Sequence, residues 1–125
     1  DAVFGKLLNQ MELSEKKISF HLSGGGDVLL KISRIRYFER QLRLTRIHTE
    51  SGIFETRDRL DEILERLPKQ VFLRCHNSMI VNLTCVQIIR NDSFVLDDGS
   101  EIAISRSFRK EVRERFLEWV EKNSL

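Results

Sequence analysis

A chain of 125 residues is bounded to one domain with a terminal extension, large enough to bury a core without staples. Hydrophobic residues at 41% and charged residues at 32% exclude a disordered chain, and apolar runs of only a few residues exclude a membrane-spanning helix. The net charge of +2 excludes little, but residues 31–48 concentrate Lys31, Arg34, Arg36, Arg40, Arg43 and Arg46 against Glu39 alone, a local +5 that leaves −3 elsewhere. That concentration fits a polyanion binder, and fits equally well a strand whose alternate arginines face solvent.

In chain order, Phe4, Leu7, Leu8 and Met11 are spaced for a short amphipathic helix over residues 3–12, read with residues 1–15 as a linker or helix remnant. The chain begins at Asp1 rather than Met, as an excerpt of a longer protein would. No charged segment leading an apolar one suggests a secretory signal. A domain is expected over residues 16–125. Ile18, Phe20 and Leu22 alternate with polar residues as a strand, the glycine-rich segment Ser23–Asp27 turns, and Val28–Ile32 returns. Ile35–Phe38 and Arg46–Thr49 read as strands joined by the polar stretch Glu39–Thr45, and Ser51-Gly52 turns into a strand at Ile53–Thr56. Leu60, Ile63, Leu64 and Leu67 mark a helix that Thr56 or Asp58 is expected to cap and Pro68 to end. Val86–Ile89, Ser93–Leu96 and Glu101–Ile104 are further strands, the last two joined by Asp98-Gly99 as a two-residue turn. Ser105 or Ser107 then caps a final helix carrying Phe108, Val112, Phe116, Trp119 and Val120 on one face. The fold class is therefore mainly β with short helices and a C-terminal helix.

Between the helix and these last strands lies Phe72-Leu-Arg-Cys-His-Asn-Ser-Met-Ile-Val-Asn82. Its apolar ends suit a core, and Arg74, His76, Asn77 and Ser78 offer donors and acceptors beside it. Arg and Asn are the residue types that pair two-handed with guanine and adenine edges. Asn77 alone fits an Asx turn at least as well. His76, one step along from Asn77, is expected to point inward and bond backbone. Cys75 and Cys85 are too few for a disulfide framework and read as buried free thiols, with a redox pair as the alternative. Neither they nor His21, His48 and His76 show metal-ligand spacing, no P-loop or nucleophile elbow occurs, and no catalytic role or cofactor is expected.

The central stretch resembles the signature of the LytTR family of bacterial DNA-binding domains, Phe-Leu-Arg-x-His-Arg/Asn-Ser-x-Ile-Val-Asn. Ile35-Arg-Tyr-Phe-Glu39, Arg46-Ile-His-Thr49 with Ser51-Gly52, Leu60–Leu64 with Leu67-Pro68, and Asp98-Gly99 with Ile102–Arg106 are similar to further family segments. They follow the family's order from about residue 17 to residue 113. The resemblance implies an elongated fold of several small, mostly antiparallel sheets that inserts loops, not a helix, into the major groove. It implies base contacts from Arg43 and Thr45 in the loop 40–45, from Asn77, and from Arg106. The segment Gln41–Leu44 departs from the family's usual residues there. Arg34, Arg36, Arg40, Arg74, Arg109 and Lys110 are suited to phosphates, as are Ser78, Ser105 and the helix start near Ser107.

The function so implied is sequence-specific double-stranded DNA binding for transcriptional regulation. The chain would be the cytoplasmic output domain of a two-component response regulator, paired with a second copy on direct repeats, its upstream receiver or sensor domain lying outside this chain. The alternative is a β-rich interaction or ligand-sensing module whose basic face binds acidic protein or membrane partners.

Overall fold

The computed structural model describes residues 16–125; the helix expected over residues 3–12 lies outside them. Among the described residues, ten strands form three sheets in which every pairing is antiparallel. β1 (Lys17–His21) and β2 (Asp27–Lys31) make a separate hairpin. β3 (Ile35–Gln41), β4 (Leu44–Thr49), β5 (Gly52–Thr56), β6 (Phe72–His76) and β7 (Met79–Asn82) form a five-stranded sheet in the order β5-β4-β3-β7-β6. β8 (Val86–Ile89), β9 (Ser93–Leu96) and β10 (Glu101–Ala103) form the third sheet. α1 (Leu60–Arg66) lies between β5 and β6, and α2 (Arg109–Asn123) ends the chain.

The five-stranded sheet is a middle layer, because side chains on a strand alternate between faces. Phe38, Ile47, Phe72 and Ile80 enter one core with Ile18, Phe20 and Leu30 of the β1–β2 hairpin and Leu60 and Ile63 of α1. Leu73, Cys75, Met79 and Val81 enter a second core with Phe94, Leu96, Ile102 and Val112, flanked by Phe116 and Trp119 of α2. β7 therefore has no solvent-facing side, and all four of its residues are buried. Its unbroken Met-Ile-Val run follows from that position.

Where β7 ends, Asn82 is fully buried. Its Nδ2 donates to the Ile35 carbonyl at 2.7 Å, and its Oδ1 accepts from the Thr84 amide at 2.9 Å and the Thr84 hydroxyl at 2.7 Å. One amide thus ties the end of β7 to the start of β3 and caps the single turn Leu83–Cys85.

Several local expectations are corrected. The connection after β3 is not a long polar stretch: Gln41 pairs with Leu44, so only Leu42 and Arg43 turn the chain. Thr56 and Asp58 do not cap α1, whose first residue follows Arg59; the Thr56 hydroxyl instead accepts the Asp58 amide at 3.3 Å. Neither Ser105 nor Ser107 caps α2, because the turn Arg106–Phe108 intervenes and Ser105 makes no side-chain capping bond. The β9–β10 loop holds three residues, Asp97, Asp98 and Gly99, between the bonded pair Leu96 and Ser100. Gly99, at φ 89°, supplies the left-handed position that such loops require.

Cys75 and Cys85 are buried free thiols. Burial pushes the Cys75 thiol up to about 12 and raises that of Cys85. Both are therefore expected to resist a thiol-specific reagent at pH 8 until urea unfolds the chain; rapid labelling of the native protein would contradict this packing. Asn82→Ala removes three hydrogen bonds from a buried site and is expected to lower stability by about 2–3 kcal/mol in a urea titration.

Candidate nucleic-acid interface

The ends of the five-stranded sheet differ in kind. At one end β3 and β4 close on Leu42 and Arg43, and β6 and β7 close on Asn77 and Ser78. The β7–β3 pairing sets Met79 opposite Glu39, and the Arg40 amide donates to the Ser78 carbonyl at 2.8 Å. The two turns are thereby neighbours, with the first projecting further. Ser105 joins the row because its amide donates to the Cys75 carbonyl at 2.9 Å, which brings Arg106 beside the second turn. Strands sit about 4.8 Å apart, so the row from the first turn to Arg106 covers about 17 Å. That is about five base-pair steps of 3.4 Å.

Arg43, Asn77 and Arg106 are all exposed here, and neither arginine has a side-chain partner among the described residues. Arg109 and Lys110, at the start of α2, are exposed and unpaired on the same terms. Two further arginines that the sequence did not bring forward stand at this end. Arg57 and Arg59 follow β5, whose last residue Thr56 pairs with Thr45 beside the first turn. Both side chains are exposed and unpaired among the described residues. The signal was present: two arginines either side of Asp58 directly after a strand.

Thr45 is not at the surface. It is fully buried, its hydroxyl donating to the Asp58 carbonyl at 2.6 Å and accepting from Arg40 Nη1 at 3.0 Å. Period-two alternation explains this, since Thr45 shares a face with Ile47. The Arg40 guanidinium also donates to the carbonyls of Arg57 and Asp58, at 3.2 and 3.0 Å. It braces the β5–α1 link against β3 and is not free for phosphate. Arg74 is likewise engaged: it donates to the Asn77 carbonyl at 2.6 Å and pairs with Asp61 of α1, so it holds the second turn in place. Inside that turn His76 Nδ1 accepts the Ser78 amide at 3.1 Å and contacts the Ser78 hydroxyl at 2.9 Å. His76 bonds backbone as expected, but it is half-buried and not turned inward, because the strand register shifts between Arg74 and His76; the Ser78 hydroxyl is already bonded. The Ser105 hydroxyl is 3.4 Å from that of Ser107.

Arg34 and Arg36 lie at the opposite end. β3 separates them from the first turn by about 20 Å at 3.3 Å per residue. Arg36 is further occupied by Asp97 and by Asp98 at 3.5 Å, contacts that raise its own pKa. The Asp98 carboxyl is held below its usual range mainly by the Ser100 amide. Arg46 faces Glu55 across the strands at 3.5 Å. The basic run 31–48 is thus divided between two ends and one ion pair, and does not make a single face.

Leu42 stands out at the tip. Its φ of 57° is the one positive value at a non-glycine residue among those described, and it is 93% exposed. Left-handed backbone costs a side-chain-bearing residue about 1–2 kcal/mol.

An exposed basic row built from hairpin turns, with a forked amide at its centre, thus occupies one end of the sheet. The model of the LytTr DNA-binding domain matches residues 25–117, and the chain belongs to that family. It is 33% identical over 82 residues to the sensory transduction protein LytT of Enterococcus faecalis, and 30% identical over 93 residues to the transcriptional regulatory protein YpdB of Escherichia coli. Those alignments take in 62% and 70% of this chain but 33% and 38% of the relatives, so it spans about a third of their length. Among solved structures it superposes on the LytTr DNA-binding domain of a Bacillus cereus protein described as a methyl-accepting/DNA response regulator. There the TM-score is 0.72 at 25% identity, covering 79% of this chain and 94% of that one.

Thr45→Val keeps the shape but strips the hydroxyl that Asp58 and Arg40 use, and is expected to lower stability by about 1–2 kcal/mol in urea. Lost DNA binding at unchanged stability would instead put that hydroxyl on the DNA.

Proposed function

We propose that this domain binds specific double-stranded DNA sequences for transcriptional regulation by inserting the turns at one end of its five-stranded sheet into the major groove. The observation that carries the reading is the alignment of Leu42-Arg43, Asn77 and Arg106 along one sheet end, exposed and flanked by unpaired cations. Arg43 and Arg106 suit guanine, whose O6 and N7 accept a guanidinium two-handed. Asn77 suits adenine, whose N6 and N7 match an amide. Arg57, Arg59, Arg109 and Lys110 take phosphates on either side and fix the register without reading sequence. The Ser105 hydroxyl adds a hydrogen bond to the DNA backbone, whereas that of Ser78 is held by His76. Thr45 and Arg40 support these contacts from the interior.

One such row covers too few base pairs to define an operator alone. A second copy on a direct repeat one helical turn away supplies the rest, as half-site spacing does in other tandem readers. The lengths of the relatives and their names support an upstream receiver or sensor domain in a response regulator working in the cytoplasm.

Selection from a random duplex library, read at two salt concentrations, tests the reading. A motif repeated at about 10 base pairs is expected, with a log–log salt slope of about −4 for four phosphate contacts. Salt-sensitive binding without a motif would leave a generic polyanion binder and overturn it. On the selected duplex, Asn77→Ala and Arg106→Ala are each expected to cost about 1–3 kcal/mol and to relax one position. Arg57→Ala and Arg59→Ala should weaken all sequences alike and flatten the slope by about 1 each. Arg36→Ala, at the far end, should leave affinity unchanged.

A further inference from the structure

We infer that Leu42 is a specificity residue in its own right, reading the 5-methyl group of a thymine in the major groove. The inference rests on the DNA-binding reading above and goes beyond it, because it assigns an apolar contact to a row so far described by charge and hydrogen bonds. Among the described residues, Leu42 is the most exposed large apolar side chain other than the terminal Leu125. Single exposed apolar residues are ordinary on a protein surface. What is not ordinary is this combination of near-complete exposure, left-handed backbone and position. A two-residue hairpin turn with positive φ is normally given to Gly, Asn or Asp, which accept that backbone more readily. Here the foremost position of the whole sheet end carries a branched apolar group instead, beside Arg43.

Strain of this kind is found where surrounding structure enforces it and function uses it. The flanking ladder enforces it, since Gln41 pairs with Leu44 and Arg40 with Thr45, leaving Leu42 no freedom to relax. The groove supplies one apolar feature for such a tip to meet. Of the base edges in the major groove, thymine alone presents a methyl group. Arg43 one residue on would meet a neighbouring base, so the turn would read a thymine beside a guanine. The absence of an apolar neighbour for Leu42 in the free protein is then the reason the contact discriminates: its area is buried only against DNA.

The test uses the duplex recovered by selection, prepared with thymine or with deoxyuridine at one position at a time, which removes only the methyl group. Wild-type protein is expected to lose affinity about three- to fivefold at one deoxyuridine position, the size that follows from one buried methyl. Leu42→Gly and Leu42→Asn should bind the thymine duplex that much more weakly and no longer distinguish it from the deoxyuridine duplex. Both should melt at the wild-type temperature or above it, since each accepts the left-handed turn. Equal wild-type binding to the thymine and deoxyuridine forms at every position, with sequence-specific binding intact, would overturn the Leu42 contact and leave the DNA-binding reading standing. So would a Leu42→Gly loss that persists undiminished on the deoxyuridine duplex, because Leu42 would then act only through the shape of the turn. Failure of the wild-type protein to select any motif would remove both readings together.

Discussion

The pairing of β7 between β3 and β6 is the constraint on which the rest depends. It buries β7 on both faces, so its register cannot slip by one residue without exchanging Met79 and Val81 for Ile80 between two cores. That register sets the turn holding Asn77 level with Arg40, and so beside the turn holding Arg43. Asn82 locks the other end of the same strand to Ile35. The end that carries both turns is therefore a consequence of core packing, not of loop sequence, and its turns are short because the ladder runs almost to their tips.

Around this frame, polar residues divide into those that reach outward and those that hold the outward ones still. Arg40 ties β3 to the link after β5, Arg74 ties the Asn77 turn to α1 through Asp61, and His76 closes that turn on Ser78. Each has the chemistry of a DNA ligand, and each is spent on backbone or on an acid. Arg43 and Arg106 at the tips, and Arg57, Arg59, Arg109 and Lys110 at the two flanks, are without side-chain partners among the described residues. A preorganised row of this kind loses little conformational freedom on binding, which favours affinity without a large buried area.

The sequence made much of this legible. Alternation and turn residues placed nearly every strand, the apolar stripe placed α1, and the combined segments marked the family. Where the reading went astray, the cause was physical. The turn at Leu42-Arg43 carries no Gly, Asn or Asp, so nothing local announced a two-residue hairpin. Thr45 reads as a loop residue in the sequence, yet its two-residue offset from Ile47 puts it inside once β4 begins at Leu44. Charge along the chain suggested one basic face from Lys31 to Arg46. Antiparallel pairing sent Arg34 and Arg36 to one end and Arg43 to the other, which no linear count can anticipate. Arg57 and Arg59 do not stand out in the sequence because what brings them to this end is the pairing of Thr56 with Thr45 beside the Arg43 turn, a contact between separate strands.

The central claim is that one end of the sheet, and not the opposite end, meets DNA. Backbone amide shift mapping by NMR tests it most directly, following 15N-labelled protein as the selected duplex is added. The account predicts the largest changes at residues 42–43, 57–59, 76–78 and 106–110, with residues 34–36 and 97–98 undisturbed. Changes centred on residues 34–36 and 97–98, with the turns at Arg43 and Asn77 silent, would contradict it.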